Sequence, residues 1–209
     1  DSKSSGYKAE FEKLASEYDG MFKVGAMNCK EFREICEKQE IREFPTFKVY
    51  PPLPAPTMNY EGKIEAASLV SYMGRFVDNN TVEVNNNNLD TFLTSNPNLP
   101  KCFLFTDKKG TPLLFKALSV AFQKKIEFGI VRDSDTAITG KYKVNSFPKI
   151  MVIGVTEKKP NFYTGENKYK PLFDFLNIYS ETFFRVGEDN TANQPQKEAK
   201  PWLSEVIFF

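Results

Sequence analysis

The chain has 209 residues, 41% of them hydrophobic with 20 Phe and 9 Tyr, which suits one or two domains with packed cores and argues against disorder. Its 28 basic and 27 acidic residues leave a net charge of +1, without the basic excess of a nucleic-acid-binding domain. Histidine is absent and only three cysteines occur, which excludes Ser-His-Asp and Cys-His hydrolases, His-ligated metal enzymes and four-cysteine zinc sites within this chain.

The first expected element is a helix over residues 6–19, where Tyr7, Phe11, Leu14, Ala15 and Tyr18 form an apolar stripe and Gly20 marks the stop. Residues 21–27 read as a short buried strand. Residues 30–39 read as a second helix with Phe32, Ile35 and Cys36 on one face. A strand over 44–50 is approached through Pro45, the proline-rich run 51–56 reads as a rigid turn, and a strand over 58–60 leads to Gly62. A helix over 66–77 completes the order α-β-α-β-β-α. The next stretch is longer at its front: strand 82–84, helix 89–93 and strand 101–106 precede helix 113–124, strand 126–132 and helix 136–142. Strands 150–153 and 161–163 and a helix over 169–183 follow. This is an α/β pattern, a central mixed sheet flanked by helices.

The two stretches are copies. Ile41-Arg-Glu-Phe-Pro45-Thr-Phe-Lys-Val49 matches Val144-Asn-Ser-Phe-Pro148-Lys-Ile-Met-Val152 at an offset of 103 residues. Tyr60-Glu-Gly62 falls on Tyr163-Thr-Gly165 in the same register, and Phe11, Leu14 and Tyr18 meet Phe115, Leu118 and Phe122 at 104. A period near 100 suits a whole small domain rather than a solenoid unit. The expected division is 1–77, a copy lacking its opening β-α-β; 78–187, a complete copy; and 188–209, a polar linker followed by an apolar strand that opens a further segment. A first copy without its central strand would expose a long apolar edge, so that strand is expected either before Asp1 or in another segment that fills the gap. The chain opens without Met and is expected to be a piece of something longer. No apolar run nears the ~20 residues needed to span a bilayer. Asn79 opens an N-x-T triplet, a glycosylation acceptor if the chain enters the secretory pathway.

The element order and the paired Phe-Pro and Tyr-x-Gly signatures resemble the thioredoxin fold, in particular the tandem thioredoxin-like domains of the protein disulfide isomerase family. Longer proteins of the endoplasmic reticulum that join a J-domain to several such domains are similar. The resemblance covers nearly all of 1–77 and 81–187. It implies cis prolines at Pro45 and Pro148, an endoplasmic-reticulum lumen location and no cofactor. It also implies unfolded or partly folded polypeptide as partner, with an Hsp70-type chaperone reached through other domains of a parent protein. In thioredoxin-like folds the backbone beside this proline captures extended peptide by strand addition, which makes Phe44, Pro45, Phe147 and Pro148 candidate client-binding residues. The alternative is that both prolines only shape the strand start and both phenylalanines lie in the core.

The family places its Cys-x-x-Cys pair about 40 residues before the cis proline. Here that slot holds Thr106-Asp-Lys-Lys-Gly-Thr111 in the second copy and Asp1-Ser2-Lys3-Ser4 in the first, with no cysteine in either. Thiol–disulfide exchange needs a thiolate and a partner sulfur, so no catalytic residue is expected in either slot. Cys29 and Cys36 lie elsewhere. Within one helix their Cα atoms would stand ~10 Å apart, beyond the ~7 Å a disulfide tolerates, so bonding requires Cys29 to precede the helix. Redox members of the family often carry a similar Cys-x6-Cys here. A structural disulfide and two buried free thiols remain the two readings, and Cys102 is expected as a buried inert thiol. Two functions follow: a redox-inactive module that binds clients or positions neighbouring domains of a larger chaperone, or a fragment of an oxidoreductase whose Cys-x-x-Cys lies outside this chain.

Overall fold

The computed structural model describes residues 5–187 and 204–208. In chain order the elements are α1 (Lys8–Glu17), β1 (Phe22–Ala26), α2 (Arg33–Lys38), β2 (Phe47–Tyr50), β3 (Met58–Asn59) and α3 (Ala66–Met73), the last continued by a 3-10 turn over Gly74–Phe76. Then follow β4 (Thr81–Glu83), α4 (Leu89–Thr94), β5 (Lys101–Thr106), α5 (Leu113–Ala121), β6 (Glu127–Arg132) and α6 (Thr136–Lys141). The last four are β7 (Lys149–Ile153), β8 (Pro160–Phe162), α7 (Tyr169–Gly187) and β9 (Ser204–Phe208). The described residues form two compact units, 5–77 with 204–208, and 78–187.

The second unit is a five-stranded mixed sheet in the order β4-β6-β5-β7-β8. Central β5 runs parallel to β6 and antiparallel to β7. All six of its residues are buried, as a strand with neighbours on both edges and layers on both faces requires. Phe103, Phe105, Val131, Ile138 and Met151 form the core on one side, with Phe92 set edge-on to Phe103 at 5.3 Å. Asp135 caps α6, its Oδ1 accepting the Ile138 N–H at 3.2 Å.

The first unit has a four-stranded sheet in the order β1-β9-β2-β3. β9 runs parallel to β1, from Phe22 opposite Ser204 to Ala26 opposite Phe208, and antiparallel to β2, from Phe47 opposite Phe208 to Tyr50 opposite Glu205. These are the relations that β5 has to β6 and β7. Ser204–Phe208, expected as the opening strand of a further segment, lies between β1 and β2 in this structure. Local pattern marks 204–208 as an apolar strand but says nothing of its partner, because that pairing spans more than half the chain. The linker expected over 188–200 lies outside the described residues.

α2 also departs from expectation. The chain stays in a turn through Phe32, where the Glu31 and Phe32 N–H groups both donate to Asn28 O, and the helix starts only at Arg33. Phe32 and Ile35 are therefore exposed (50% and 43%), leaving Cys36 as the buried residue of this helix.

The Tyr-x-Gly signature has the same cause in both units. The Tyr60 hydroxyl donates to Lys63 O at 2.9 Å, and that of Tyr163 to Glu166 O at 2.8 Å. Each ring is thereby drawn over the glycine two residues on, where an added Cβ would stand 2.5 Å from Tyr60 Oη or 2.4 Å from Tyr163 Oη. Tyr163 also packs on Phe175 at 5.0 Å, so the ring cannot move aside freely. Gly165→Ala should cost about 1–2 kcal/mol, since either the hydrogen bond or the ring packing is lost; urea denaturation of the second unit measures it.

Lys101, only 3% exposed, pairs with Glu127 and donates to Asn96 O at 3.0 Å. Burial alone would raise the Glu127 carboxyl's pKa, but hydrogen bonds from Lys101, Asn96 and Ser95 and the Lys101 charge together hold it below its ordinary value. A depressed carboxylate stabilises the fold above its unfolded pKa, and that contribution is lost as pH falls through the folded value. The second unit should lose stability on acidification below about pH 4.3, and Glu127→Gln should flatten that part of the profile. A pH series of thermal melts reads both.

Candidate functional site

Cys29 follows β1 in the turn over 28–32, and Cys36 lies in α2. This places their Cα atoms 5.8 Å apart, and the two sulfurs are bonded. Asn28 shapes the turn: its side-chain oxygen accepts the Lys30 N–H at 3.1 Å and its amide donates to Glu31 Oε1 at 2.8 Å. Cys36 is buried and Cys29 half-buried.

The loop from α2 to β2 carries Phe44 and Pro45 across a cis bond. Thr46 Oγ1 closes the loop by donating to Glu43 O at 2.6 Å. Phe44 turns outward, 47% exposed, and with Phe11, Ala15, Val24, Ala26 and Cys29 it lines a groove of about 770 Å3. Lys8, Glu12 and Lys30 also line it, so charge accompanies the apolar wall. One wall of the groove is thus made by the disulfide turn, another by α1, and a third by the proline loop.

The matching loop of the second unit is built differently. Phe147–Pro148 is also cis, but Phe147 is half-buried and packs on the core that contains Phe105 and Met151. Of this pair it is Pro148 that is exposed. Phe44 and Phe147 align in the repeat, yet the structure gives them different surroundings.

The turn between β5 and α5, where the resemblance places a redox pair, is held by hydrogen bonds instead. The Thr106 hydroxyl accepts the Lys108 N–H at 3.1 Å. Arg132 Nη1 donates to the Lys108 carbonyl and reaches Gly110 O at 3.5 Å. Glu83 orients that guanidinium with both oxygens, at 2.5 Å from Nε and 3.0 Å from Nη2. Nothing local to Arg132 in the sequence announces a partner 49 residues earlier. The corresponding slot of the first unit, Asp1–Ser4, lies outside the described residues. Cys102 is fully buried in β5, and burial pushes its thiol far up.

Asn79 is exposed; its side-chain oxygen accepts from the Thr81 hydroxyl at 2.8 Å and its amide approaches Thr111 Oγ1 at 3.4 Å. Among the described residues, no group of three or more His, Cys, Asp or Glu could hold a metal ion, and no helix is long and apolar enough to cross a membrane.

Residues 6–75 match the thioredoxin family, and residues 83–164 match the family described as DJC16, thioredoxin-like domain 2. The chain belongs to the tandem thioredoxin-like proteins of the protein disulfide isomerase family. It is 30% identical over 184 residues to a putative protein disulfide-isomerase of Dictyostelium discoideum, a match covering 83% of this chain and 44% of that protein. It is 25% identical to the protein disulfide-isomerase like 2-2 of Arabidopsis thaliana, covering 79% of this chain and 44% of the relative. The chain thus spans less than half the length of these relatives. Among solved structures it is similar in fold to full-length ERdj5, at 16% identity and a TM-score of 0.58, over 86% of this chain and 28% of that one.

The cysteine arrangement gives a direct test. Thiol titration under denaturing, non-reducing conditions should find one reactive thiol, that of Cys102, and the folded protein should show none.

Proposed function

We propose that this chain is a redox-inactive tandem module that holds unfolded polypeptide in the Phe44 groove of its first unit and serves within a larger folding factor. The observation that carries the reading is the contrast between the two proline loops. An exposed phenylalanine in an apolar groove is a binding feature, whereas Phe147 is spent on its own core. The groove's charged residues suit a segment of mixed sequence, whose apolar side chain would sit against Phe44. Redox inactivity is supported by the missing cysteine pair in Thr106–Thr111 and Asp1–Ser4, and by a Cys29–Cys36 bond whose Cys36 sulfur would be a buried, poor leaving group.

The disulfide suits an oxidising compartment, and the relatives' names point the same way, so the endoplasmic-reticulum lumen is the proposed location, with Asn79 as a glycosylation acceptor. A DnaJ homolog, subfamily C member 10 of Xenopus laevis, is 38% identical over 45 residues, 22% of this chain. That supports the proposal of an Hsp70-type chaperone as partner through other parts of a longer protein. A second reading is favoured by the partial span of the relatives: an oxidoreductase whose Cys-x-x-Cys lies outside this chain.

The test pairs an activity with a binding assay. The chain should give insulin-reduction turnover at background, and turnover above it would favour the oxidoreductase. It should slow aggregation of an unfolded client, with Phe44→Ser weakening this about three- to tenfold. Phe147→Ser should leave client binding intact and destabilise the second unit by about 1–3 kcal/mol. Equal binding loss in both variants, or no client effect at molar excess, would refute groove capture.

A further inference from the structure

We propose that a cleft in the second unit binds a neutral oligosaccharide. It lies where β4 and β6 begin and α4 and α5 end, and its volume is about 640 Å3. Small-ligand sites commonly enclose roughly 300–1,000 Å3. β6 runs parallel to β5 and β7 antiparallel to it, so this end of the sheet is opposite the one where the Phe147–Pro148 loop enters β7. The cleft shares no lining residue with the Phe44 groove.

Its lining combines aliphatic surface with groups that both donate and accept hydrogen bonds. Phe92, Ile126 and Phe128 are buried beneath it, while Val82 (47% exposed) and half-buried Leu99 present aliphatic surface, which suits the C–H face of a pyranose ring. Asn80, Thr91 and Gln123 also line it, and their side chains make no hydrogen bond among the described residues. A carboxamide or a hydroxyl offers a donor and an acceptor at once, as each sugar hydroxyl does. Asn80 is held in place: its N–H donates to Ser119 Oγ at 3.2 Å, and that hydroxyl donates to Lys116 O at 2.7 Å. The Glu127 carboxylate is fixed by Lys101, Asn96 and by Ser95 at 3.0 Å, so a further hydroxyl can donate to it without reorganisation. Lys101 neutralises that carboxylate, and Lys124 is the one cation among the described lining residues. A phosphate or carboxylate ligand would call for paired cations or a guanidinium fork. Free amides and hydroxyls beside aliphatic surface instead select an uncharged ligand rich in hydroxyls.

The test titrates the isotope-labelled full chain, produced without glycans so that Asn79 carries none, with mannotriose and with chitobiose. Amide resonances of residues 80–82, 91–96 and 119–128 should shift and saturate, with a dissociation constant on the order of 1 mM for at least one of the two sugars. Asn80→Ala and Gln123→Ala should each weaken binding about three- to tenfold, the worth of one hydrogen bond. Lys124→Gln and Phe44→Ser should leave it within about twofold. Fully O-methylated mannotriose, which keeps the ring framework but has no hydroxyl donor, should not bind. The proposal is overturned if neither sugar moves these resonances or if the methylated sugar acts like its parent. It is also overturned if Lys124→Gln abolishes binding while Asn80→Ala and Gln123→Ala leave it intact. Client capture at Phe44 can fail without altering any of these results.

Discussion

A central strand bonded on both edges is the constraint from which both sheets follow. A backbone in a sheet's interior has no water to pair with, so each N–H and C=O must find another strand. In the second unit β5 meets that demand from within, and its complete burial makes it the keel on which the helices pack. In the first unit no residue of 5–77 stands in that position, and β9 takes it with the same polarity toward its neighbours. In both units the sheet requires a strand at that place, and its direction toward each neighbour is the same.

The two copies have kept their supports and diverged at their surfaces. Tyr60 and Tyr163 close the same hydrogen bond across the same glycine, a steric arrangement that tolerates little change. The proline loops share their cis bonds, yet one aims its phenylalanine into a groove and the other returns it to the core. The disulfide turn accompanies only the first. It anchors α2, a six-residue helix with a single buried side chain, and an element so short has little packing of its own to hold it in place.

Where the family resemblance places sulfur chemistry, the second unit has a turn tied by Arg132. The guanidinium spans from the Glu83 carboxylate to the carbonyls of Lys108 and Gly110, so β4, β6 and the turn are joined through one side chain. A bidentate pair of this kind holds its geometry better than a lone surface ion pair. The turn is thereby a structural element of the sheet's edge.

The sequence by itself determined the copy number, the α/β layering and nearly every element. Repeated Phe-Pro and Tyr-x-Gly signatures and helical or alternating apolar periods are local or in-register features, and local features survive without coordinates. It also located the absence of cysteine in the Thr106–Thr111 turn, since residue identity needs no fold. Only the tertiary structure decided which way Phe44 and Phe147 face, that Phe32 and Ile35 lie outside the core, that Arg132 ties a distant turn, and that Ser204–Phe208 belongs with β1 and β2. Each of these depends on partners far along the chain, and an aligned repeat or a helical period carries no record of which distant surface a side chain or strand will meet.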